Sequence, residues 1–210
     1  MIDLYNIDCM EGLKDTPDKF YNLAIVDPPY GIGNSIWTSD SREAKPYNKK
    51  WDVDWNDSPP KKEYFDKLFR ISKNQIIWGC NYYREFIPSG GAIVWDKGNG
   101  SDIGSQCEIA YCSMQRRITK FYYQHIGFIT KDNSKRIHPC QKPIALYKWL
   151  LTKYAKQGNK ILDTHLGSGS IAIACYDLGF DLTGYEIDKD YFDAMMKRFE
   201  RHKQQLRIEF

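Results

Sequence analysis

Residues 160–175 read Lys-Ile-Leu-Asp-Thr-His-Leu-Gly-Ser-Gly-Ser-Ile-Ala-Ile-Ala-Cys, and this stretch carries the strongest prediction about the fold. The apolar start predicts a short buried strand, the glycines predict a turn, and the small apolar residues that follow predict a helix. Glycines let the backbone approach a ligand closely, and the first turn of a helix supplies free N–H groups. The stretch therefore indicates a ligand-binding turn in an α/β sheet.

The next predicted strand ends in an acidic residue. Residues 180–186 read Phe-Asp-Leu-Thr-Gly-Tyr-Glu, which places Glu186 about 20 residues after the glycine turn, where nucleotide-binding folds hold ribose hydroxyls. The sequence contains no Gly-x-Gly-x-x-Gly motif, so it favours a cofactor with one nucleoside over a dinucleotide. The structural alternative is that Glu186 is a solvated carboxylate at a strand end.

A rigid turn follows another apolar run. Residues 23–30 read Leu-Ala-Ile-Val-Asp-Pro-Pro-Tyr, which predicts a buried strand with Asp27 and Tyr30 just beyond its carboxyl end. Open α/β sheets bind ligands at that end of their strands. Because the two prolines lack a backbone donor, the turn offers a carboxylate, bare carbonyls and an aromatic ring. This combination suits a ring that carries an amine, and a Pro-Pro turn that only ends a strand is the alternative.

Alternating apolar periods predict an α/β fold: a doubly wound, mostly parallel sheet with an antiparallel hairpin at one edge. Strands are predicted near 2–7, 22–26, 74–78, 91–95, 107–112, 117–123, 160–163 and 181–185, with 107–112 and 117–123 forming the hairpin. Helices are predicted at 61–72, 142–157, 169–178 and 188–203. The whole chain, 1–210, is predicted to be one domain. Within it, residues 34–60 are predicted to be a mobile or target-contacting insertion, and 98–137 a segment with a short target-contacting hairpin.

These motifs together resemble the S-adenosylmethionine-dependent DNA amino-methyltransferases of the circularly permuted β group. Asp-Pro-Pro-Tyr comes first and the glycine loop last, as in that group. Residues 138–143, His-Pro-Cys-Gln-Lys-Pro, match its His-Pro-x-Gln-Lys-Pro signature, and 4–13, 75–83 and 90–97 resemble its other segments. The resemblance covers nearly the whole chain and implies a permuted, Rossmann-like class I methyltransferase.

The resemblance also implies roles for residues. It implies S-adenosylmethionine as the cofactor and a flipped base whose exocyclic amine is methylated. The implied catalytic residues are Asp27, Pro28, Pro29 and Tyr30. The implied cofactor-binding residues are Asp8, Cys9, Gln141, Lys142, Asp163, His165, Gly167, Ser168, Gly169 and Glu186. Related glycine loops commonly read Asp-Pro-Phe-x-Gly-Ser-Gly, whereas this chain has Thr164 and His165 in place of Pro and Phe.

The resemblance predicts an adenine-N6 DNA methyltransferase, because Asp at the first position of the catalytic motif favours adenine in this family. A cytosine-N4 enzyme is the alternative, and RNA or a protein amide stays open as the substrate. A second class is also kept: a catalytically inactive DNA-binding module on the same scaffold. Retention of the catalytic motif, the glycine loop and Glu186 together favours the enzyme.

The distribution of charge suggests where DNA is contacted. The formal net charge is only +3, but cations alternate with aromatic residues in two segments. Cations neutralise phosphates and rings stack on bases, so these segments predict DNA contacts. A solvated face with core aromatics is the alternative for each segment. The candidate DNA-binding residues are Lys49, Lys50 and Trp51 in the first segment and Arg116, Arg117 and Lys120 in the second.

Other sequence features narrow the functional class. The six cysteines are scattered without a Cys-x-x-Cys pair, so neither a zinc site nor a disulfide framework is predicted, and no metal is expected. The chain has no apolar span of membrane length and no signal-peptide pattern at its start, so a cytoplasmic protein without membrane contact is expected. DNA is the predicted partner. A second copy of the chain and a cognate restriction endonuclease of a restriction-modification system stay open as further partners.

Overall fold

The computed structural model describes residues 1–32, 58–99, 105–126, 129–130 and 136–205. The strands are β1 Ile2–Tyr5, β2 Tyr21–Val26, β3 Ser72–Trp78, β4 Gly91–Asp96, β5 Cys107–Cys112, β6 Ile118–Tyr122, β7 His125–Ile126, β8 Ile129–Thr130, β9 Lys160–Asp163 and β10 Asp181–Tyr185. The helices are α1 Cys9–Gly12, α2 Lys62–Ile71, α3 Ile144–Tyr154, α4 Ser170–Leu178 and α5 Lys189–Gln204, and a 3-10 turn spans Cys80–Tyr82.

Eight strands form one sheet in the order β1-β10-β9-β2-β3-β5-β4-β6. Strand β5 runs antiparallel to both of its neighbours, and every other neighbouring pair in this sheet is parallel. Strands β7 and β8 form a separate two-stranded sheet. The predicted α/β class with a mostly parallel sheet is therefore confirmed.

Helices cover both faces of the large sheet. On one face, α3, α4 and α5 contribute buried side chains such as Leu150, Ala172 and Met195 to a cluster with alternate residues of the central strands. On the other face, α2 contributes Phe65 and Leu68 to a second cluster. Because central strands of a parallel sheet are buried on both faces, their sequences are continuously apolar rather than alternating.

The predicted hairpin is wrong in its pairing. Strands β5 and β6 do not pair with each other, because β4 lies between them, antiparallel to β5 and parallel to β6. The chain leaves β5 and crosses the start of β4, where the Gly91 and Ala92 N–H groups donate to the Gln115 and Arg117 carbonyls. A Cβ on Gly91 would lie only 2.5 Å from the Gln115 oxygen, so glycine makes this crossing possible.

The topology places several strand ends along one edge of the sheet. The neighbouring strands β1, β10, β9, β2 and β3 are parallel, so their carboxyl ends share that edge. Most of the predicted insertion at 34–60 and parts of 98–137 lie outside the described residues. No helix in the described ranges is long and apolar enough to cross a membrane.

Candidate active site

Loops at the carboxyl edge of the sheet bring the motifs together. The loop after β9 is joined to the neighbouring strand end, because the Leu166 N–H donates to the Tyr185 carbonyl at 2.9 Å. The end of β10 is joined to β1 in the same way, with the Glu186 N–H donating to the Tyr5 carbonyl at 3.0 Å. Asp27 follows β2, which neighbours β9. The cofactor motifs and the Asp-Pro-Pro-Tyr turn therefore lie side by side.

The Asp27 carboxylate is mostly buried and accepts from two protein donors. The Tyr30 hydroxyl donates to Oδ1 at 2.6 Å, and the Lys142 ammonium donates to Oδ2. Only 14% of the Asp27 side chain is exposed. Burial raises the pKa of Asp27, and the Lys142 charge opposes that rise. The Asp27 carboxylate is therefore a hydrogen-bond acceptor that two protein donors fix in place after the end of β2.

Lys142 occupies a position that motif analysis did not foresee. Its side chain is 3% exposed, and its ammonium lies beside Asp27 and 3.1 Å from Glu108 Oε2. It also lies 5.5 Å from the centre of the Trp78 ring. The sequence assigned Lys142 to the cofactor, whereas the structure brings its ammonium to the predicted catalytic carboxylate.

Glu108 completes a row of alternating charges. Its Oε1 lies 2.6 Å from the Lys97 ammonium, which follows β4. Burial alone would raise the pKa of Glu108, but the charges of Lys142 and Lys97 hold it at about 2. Burial likewise disfavours the charged form of Lys142, yet Asp27 and Glu108 raise its pKa. Sequence reasoning missed Glu108 because no local motif marks it.

Two further tyrosines shape the Asp-Pro-Pro-Tyr turn. The buried Tyr83 hydroxyl lies 2.7 Å from the Pro28 carbonyl oxygen and 2.5 Å from that of Pro29, so it donates to this pair of acceptors. Tyr82, which is 46% exposed, stacks on Tyr30 with ring centres 4.9 Å apart and planes 13° apart. Aromatic residues after β3 were noted only as strand neighbours, so these contacts are a structural finding.

The glycine loop connects β9 to α4 and is ordered by buried polar groups. Asp163 is 1% exposed, and its Oδ1 accepts from the His165 N–H at 3.0 Å. Burial raises the pKa of Asp163 to about 8. Gly169 has φ of +69°, and a Cβ there would lie 2.2 Å from Met195 Cγ, so both the backbone and the packing of α5 require glycine.

Glu186 holds the same loop from the neighbouring strand. Its Oε2 accepts from the Gly167 N–H at 2.8 Å, and its Oε1 accepts from the Asp188 N–H at 3.0 Å. Burial raises the pKa of Glu186. Each carboxylate oxygen has a second lone pair, so hydroxyl donors from a ligand still have acceptors. Glu186 is therefore more than a solvated strand end.

His165 takes part in a buried chain of polar groups. Its Nδ1 lies 2.9 Å from the Thr164 hydroxyl, which in turn lies 2.7 Å from the Tyr64 hydroxyl on α2. The imidazole also meets the Tyr64 ring edge to face at 5.5 Å. Burial lowers the pKa of His165 to about 4, so the ring is neutral at pH 7. The residues that replace Pro and Phe are thus integrated with α2.

The remaining predicted cofactor residues lie in loops or at the start of α1. Asp8 caps α1, because its Oδ1 accepts from the Met10 N–H at 2.7 Å. Cys9 and Ser168 are buried. Gln141 is buried and its Oε1 accepts from the Ile137 N–H at 3.1 Å.

A hydrogen bond ties the loop that carries Lys142 to the start of α4. The Ser170 hydroxyl donates to the Lys142 carbonyl at 2.7 Å. Arg198 of α5 donates to the Ser168 carbonyl at 2.7 Å and to the Ser170 hydroxyl at 3.0 Å. The buried arginine thus links the glycine loop, α4 and the Lys142 backbone.

Among the predicted DNA-binding residues that the structure describes, the two arginines are not brought to this edge. Arg116 and Arg117 are exposed in the turn between β5 and β6, which lies at the starts of the parallel strands, opposite Asp27. Lys120 on the edge strand β6 is exposed and lies 3.2 Å from an Asp96 oxygen. Lys49, Lys50 and Trp51 lie outside the described residues.

The acceptors at the cofactor edge fit S-adenosylmethionine. Glu186 offers carboxylate lone pairs suited to ribose hydroxyls, and the buried carboxyl group of Asp163 would suit the amino group of the methionine part once it is ionised. The adjoining Gly167 brings the backbone close to this place. Among the residues that the structure describes, no group of three or more His, Cys, Asp or Glu residues is arranged to hold a metal ion.

Comparisons with known proteins agree with this arrangement. A family model described as N6/N4 methyltransferase, DNA methylase, matches residues 104–197. The type II methyltransferase M.HpaI of Haemophilus parainfluenzae is 30% identical over 238 aligned positions, which cover 92% of this chain and 72% of that protein.

Solved structures show the same fold. The crystal structure of the M1.HpyAVI–SAM complex superposes with a TM-score of 0.60 at 20% identity and covers 94% of this chain and 100% of that one. PvuII DNA methyltransferase, which is cytosine-N4-specific, superposes with a TM-score of 0.62 at 12% identity, covering 96% and 90% of the two chains. The sequence match, the fold and the site together show that this chain belongs to the N6/N4 family of S-adenosylmethionine-dependent DNA methyltransferases.

Proposed function

We propose that this chain methylates the N6 amine of adenine in DNA, and that Asp27 receives this amine in the active site. The observation that carries the proposal is the Asp27 carboxylate, held at the end of β2 beside the cofactor loop after β9. An adenine amine is a weak nucleophile, because its lone pair is delocalised into the ring. Acceptors for its two N–H groups draw the lone pair out of that conjugation and point it towards the methyl donor.

Acceptors with free capacity surround the proposed amine position. Within the described part of the chain, Asp27 Oδ1 and Oδ2 each accept one protein donor, and the Pro28 oxygen lies within reach of one hydroxyl. Each of these oxygens has two lone pairs, so the amine can add one N–H to Asp27 and one to Pro28. The cofactor supplies the electrophilic methyl group. The protein supplies alignment of the amine, which accounts for much of the rate enhancement in reactions of this type.

The target base must leave the duplex to reach this turn, at a cost of a few kcal/mol. Tyr30 is the proposed stacking surface, and Tyr82 now stacks on it. Because Tyr82 is half exposed in a short 3-10 turn, we infer that it moves aside when the base enters. The amine loses one proton after transfer, and Asp27 or water takes it.

Nucleoside analysis tests the choice of base. The full chain is incubated with S-adenosylmethionine and unmethylated DNA, the DNA is digested to nucleosides, and these are identified by mass. We expect N6-methyldeoxyadenosine. N4-methyldeoxycytidine would instead show that the chain is a cytosine-N4 methyltransferase. Absence of any methylated nucleoside, with cofactor binding intact by calorimetry, would favour an inactive DNA-binding module.

We also infer the β-group permutation from chain order. The strand that precedes Asp27 comes before the strand that precedes the glycine loop, although the two are neighbours in the sheet. Linking the ends of the chain and opening it before β9 should therefore preserve the sheet. Retained cofactor binding by such a permuted chain is the expected result, and loss of folding would argue against equivalence of the two orders.

Two partners remain part of the proposal. A restriction endonuclease of the same specificity stays open as a partner, and its test is whether DNA methylated by this chain resists cleavage by it. A second copy of the chain also stays open as a partner, and the exposed Ile118 and Tyr122 on the edge strand β6 are the surface that we propose for it. Sedimentation velocity tests this: a monomer at all concentrations would remove the dimer from the proposal.

A further inference from the structure

The carboxylate that is proposed to receive the target amine already holds an ammonium. Lys142 donates to Asp27 Oδ2, and its side chain is almost completely buried. Although each Asp27 oxygen has a second lone pair, an ammonium bound to the carboxylate weakens it as an acceptor for the amine N–H. The site therefore needs a way to release Asp27 from Lys142 without leaving a buried charge uncompensated, which is costly.

Glu108 offers the second place for that ammonium. Its Oε2 lies 3.1 Å from Lys142 Nζ as an ion pair. The same oxygen is buried and accepts no well-aligned hydrogen bond within the described part of the chain. The other oxygen, Oε1, is held by Lys97 at 2.6 Å. Glu108 thus presents one anchored oxygen and one open oxygen, and the open one faces Lys142.

The sheet fixes the distance between the two carboxylates. Asp27 follows β2, whose last residue pairs with Ile77, and Trp78 at the end of β3 pairs with Ala110 of β5. Glu108 lies two residues before Ala110, on the same face of β5. Because Glu108 lies on β5 and Asp27 directly follows β2, the long side chain of Lys142 is the member that can move between them.

We propose that Glu108 is a positioning residue of methyl transfer, which draws the Lys142 ammonium off Asp27 Oδ2 as the target amine enters. This inference rests on the proposed function, in which Asp27 receives that amine. In the row Asp27, Lys142, Glu108, Lys97 the two negative and two positive charges balance. A small movement of the Lys142 ammonium from Asp27 to Glu108 changes its partner but leaves the net charge of the row unchanged.

The network predicts opposite pH effects for its two central members. Transfer requires ionised Asp27, so its ionisation forms the acid limb of the rate profile. Glu108→Gln removes a neighbouring negative charge and lowers the pKa of Asp27, whereas Lys142→Met removes a positive charge and raises it. In the described part of the chain, the other titratable groups that face Asp27 are Tyr30, Tyr64, Tyr83, Cys140, Tyr147 and Asp163.

Single-turnover transfer of tritiated methyl groups to DNA, measured across pH, tests the inference. For Glu108→Gln we expect a plateau rate on the order of tenfold lower, because the ammonium stays on Asp27. We expect the acid limb to move down by roughly half to one pH unit, and that of Lys142→Met to move up. Glu200→Gln, which removes a carboxylate from an exposed ion pair on α5, is the matched control and should leave rate and limb unchanged.

A double variant separates positioning from simple charge compensation. Glu108→Gln leaves Lys97 without its ion-pair partner, so Glu108→Gln/Lys97→Met restores the charge balance. We expect the double variant to bind S-adenosylmethionine like the wild type by calorimetry and still to show the low plateau. It also carries the test if the single variant loses cofactor binding. Return of a wild-type plateau and acid limb would overturn the inference, because Glu108 would then serve only Lys97.

Asp27→Asn distinguishes failure of this inference from failure of the proposed function. If Asp27→Asn abolishes transfer while Glu108→Gln keeps a wild-type rate and pH profile, the role of Glu108 is wrong and the proposed function stands. If Asp27→Asn transfers methyl groups at the wild-type rate, the proposed function fails and the role of Glu108 fails with it.

Discussion

Asp27 has one role in the folded protein and another in the proposed reaction, and a substitution separates them. Asp27→Ala removes the acceptor for the target amine, so we expect methyl transfer to be abolished. Cofactor binding should largely survive, because Lys142 retains Glu108 as an ion-pair partner and the cofactor loop is held by Glu186. Tritium transfer and calorimetry measure the two properties. Transfer at the wild-type rate would remove Asp27 from the catalytic assignment.

Glu186 supports the glycine loop, and we propose that it also binds the cofactor. Loss of hydrogen bonds to this charged group should weaken S-adenosylmethionine binding by about 1–3 kcal/mol in Glu186→Ala. The variant without cofactor should also melt at a lower temperature, because the Gly167 and Asp188 N–H groups lose their acceptor. Glu186→Gln keeps an acceptor oxygen, so its cofactor affinity and its melting temperature should lie between those of the wild type and of Glu186→Ala. Unchanged cofactor affinity would mean that Glu186 serves the loop alone.

Candidate site residues could be identified from the sequence where they belong to a local motif. Asp27 and Glu186 follow apolar runs and could be found from the printed sequence. The Asp27–Lys142 contact spans 115 residues of sequence, and the approach of Glu108 depends on strand order. Such contacts arise from tertiary structure, which no short pattern encodes.

At the level of elements, the long strands and helices were predictable and the pairing at one edge was not. Apolar periods indicated most element positions, including that of α5, whose cap Asp188 accepts from the Tyr191 N–H at 2.9 Å. Two adjacent strands joined by a short turn usually pair as a hairpin. Here the turn crosses β4, and that outcome depends on Gly91 having no side chain.

The glycine loop element has a pH dependence that one substitution can expose. The pKa of His165 is lowered to about 4 in the folded protein, from about 6.5 in the unfolded chain. The unfolded state therefore binds the extra proton first, and the contribution of His165 is present above pH 6.5 and lost as pH falls towards 4. Other titrating groups, such as His138 with its pKa near 3, are present in the wild type and in any variant at position 165, so they do not contribute to the difference between the two.

His165→Phe should remove this contribution and introduce the ring that related loops carry. The difference in free energy of unfolding between the two proteins should change by up to about 1.4 kcal/mol per pH unit between pH 6.5 and 4, in favour of the variant at low pH. Urea unfolding at several pH values measures this. A difference that is independent of pH would show that the imidazole is not buried in its neutral form.

On the scale of the whole molecule, the carboxyl edge of the sheet, which carries Asp27, and the turn that carries Arg116 and Arg117 lie at opposite ends of the strands. Strand β4 has six residues, so the Arg116–Arg117 turn at its start lies about 17 Å along the strand from the edge that carries Asp27. The sequence could show that cations and rings alternate. It could not show which end of the sheet they reach, because that depends on the direction of β5.

This separation allows DNA binding to be changed without changing chemistry. If Arg116 and Arg117 contact phosphates, their joint replacement by Ala should weaken duplex binding and reduce the slope of log K against log salt by about 0.9 for each lost contact. Lys120→Ala should change the slope less, because Asp96 already neutralises part of that charge. Cofactor affinity and the single-turnover rate at saturating DNA should be retained, since both depend on the opposite edge. Duplex affinity across a salt series decides the matter, and an unchanged slope would show that the two arginines decorate a solvated turn.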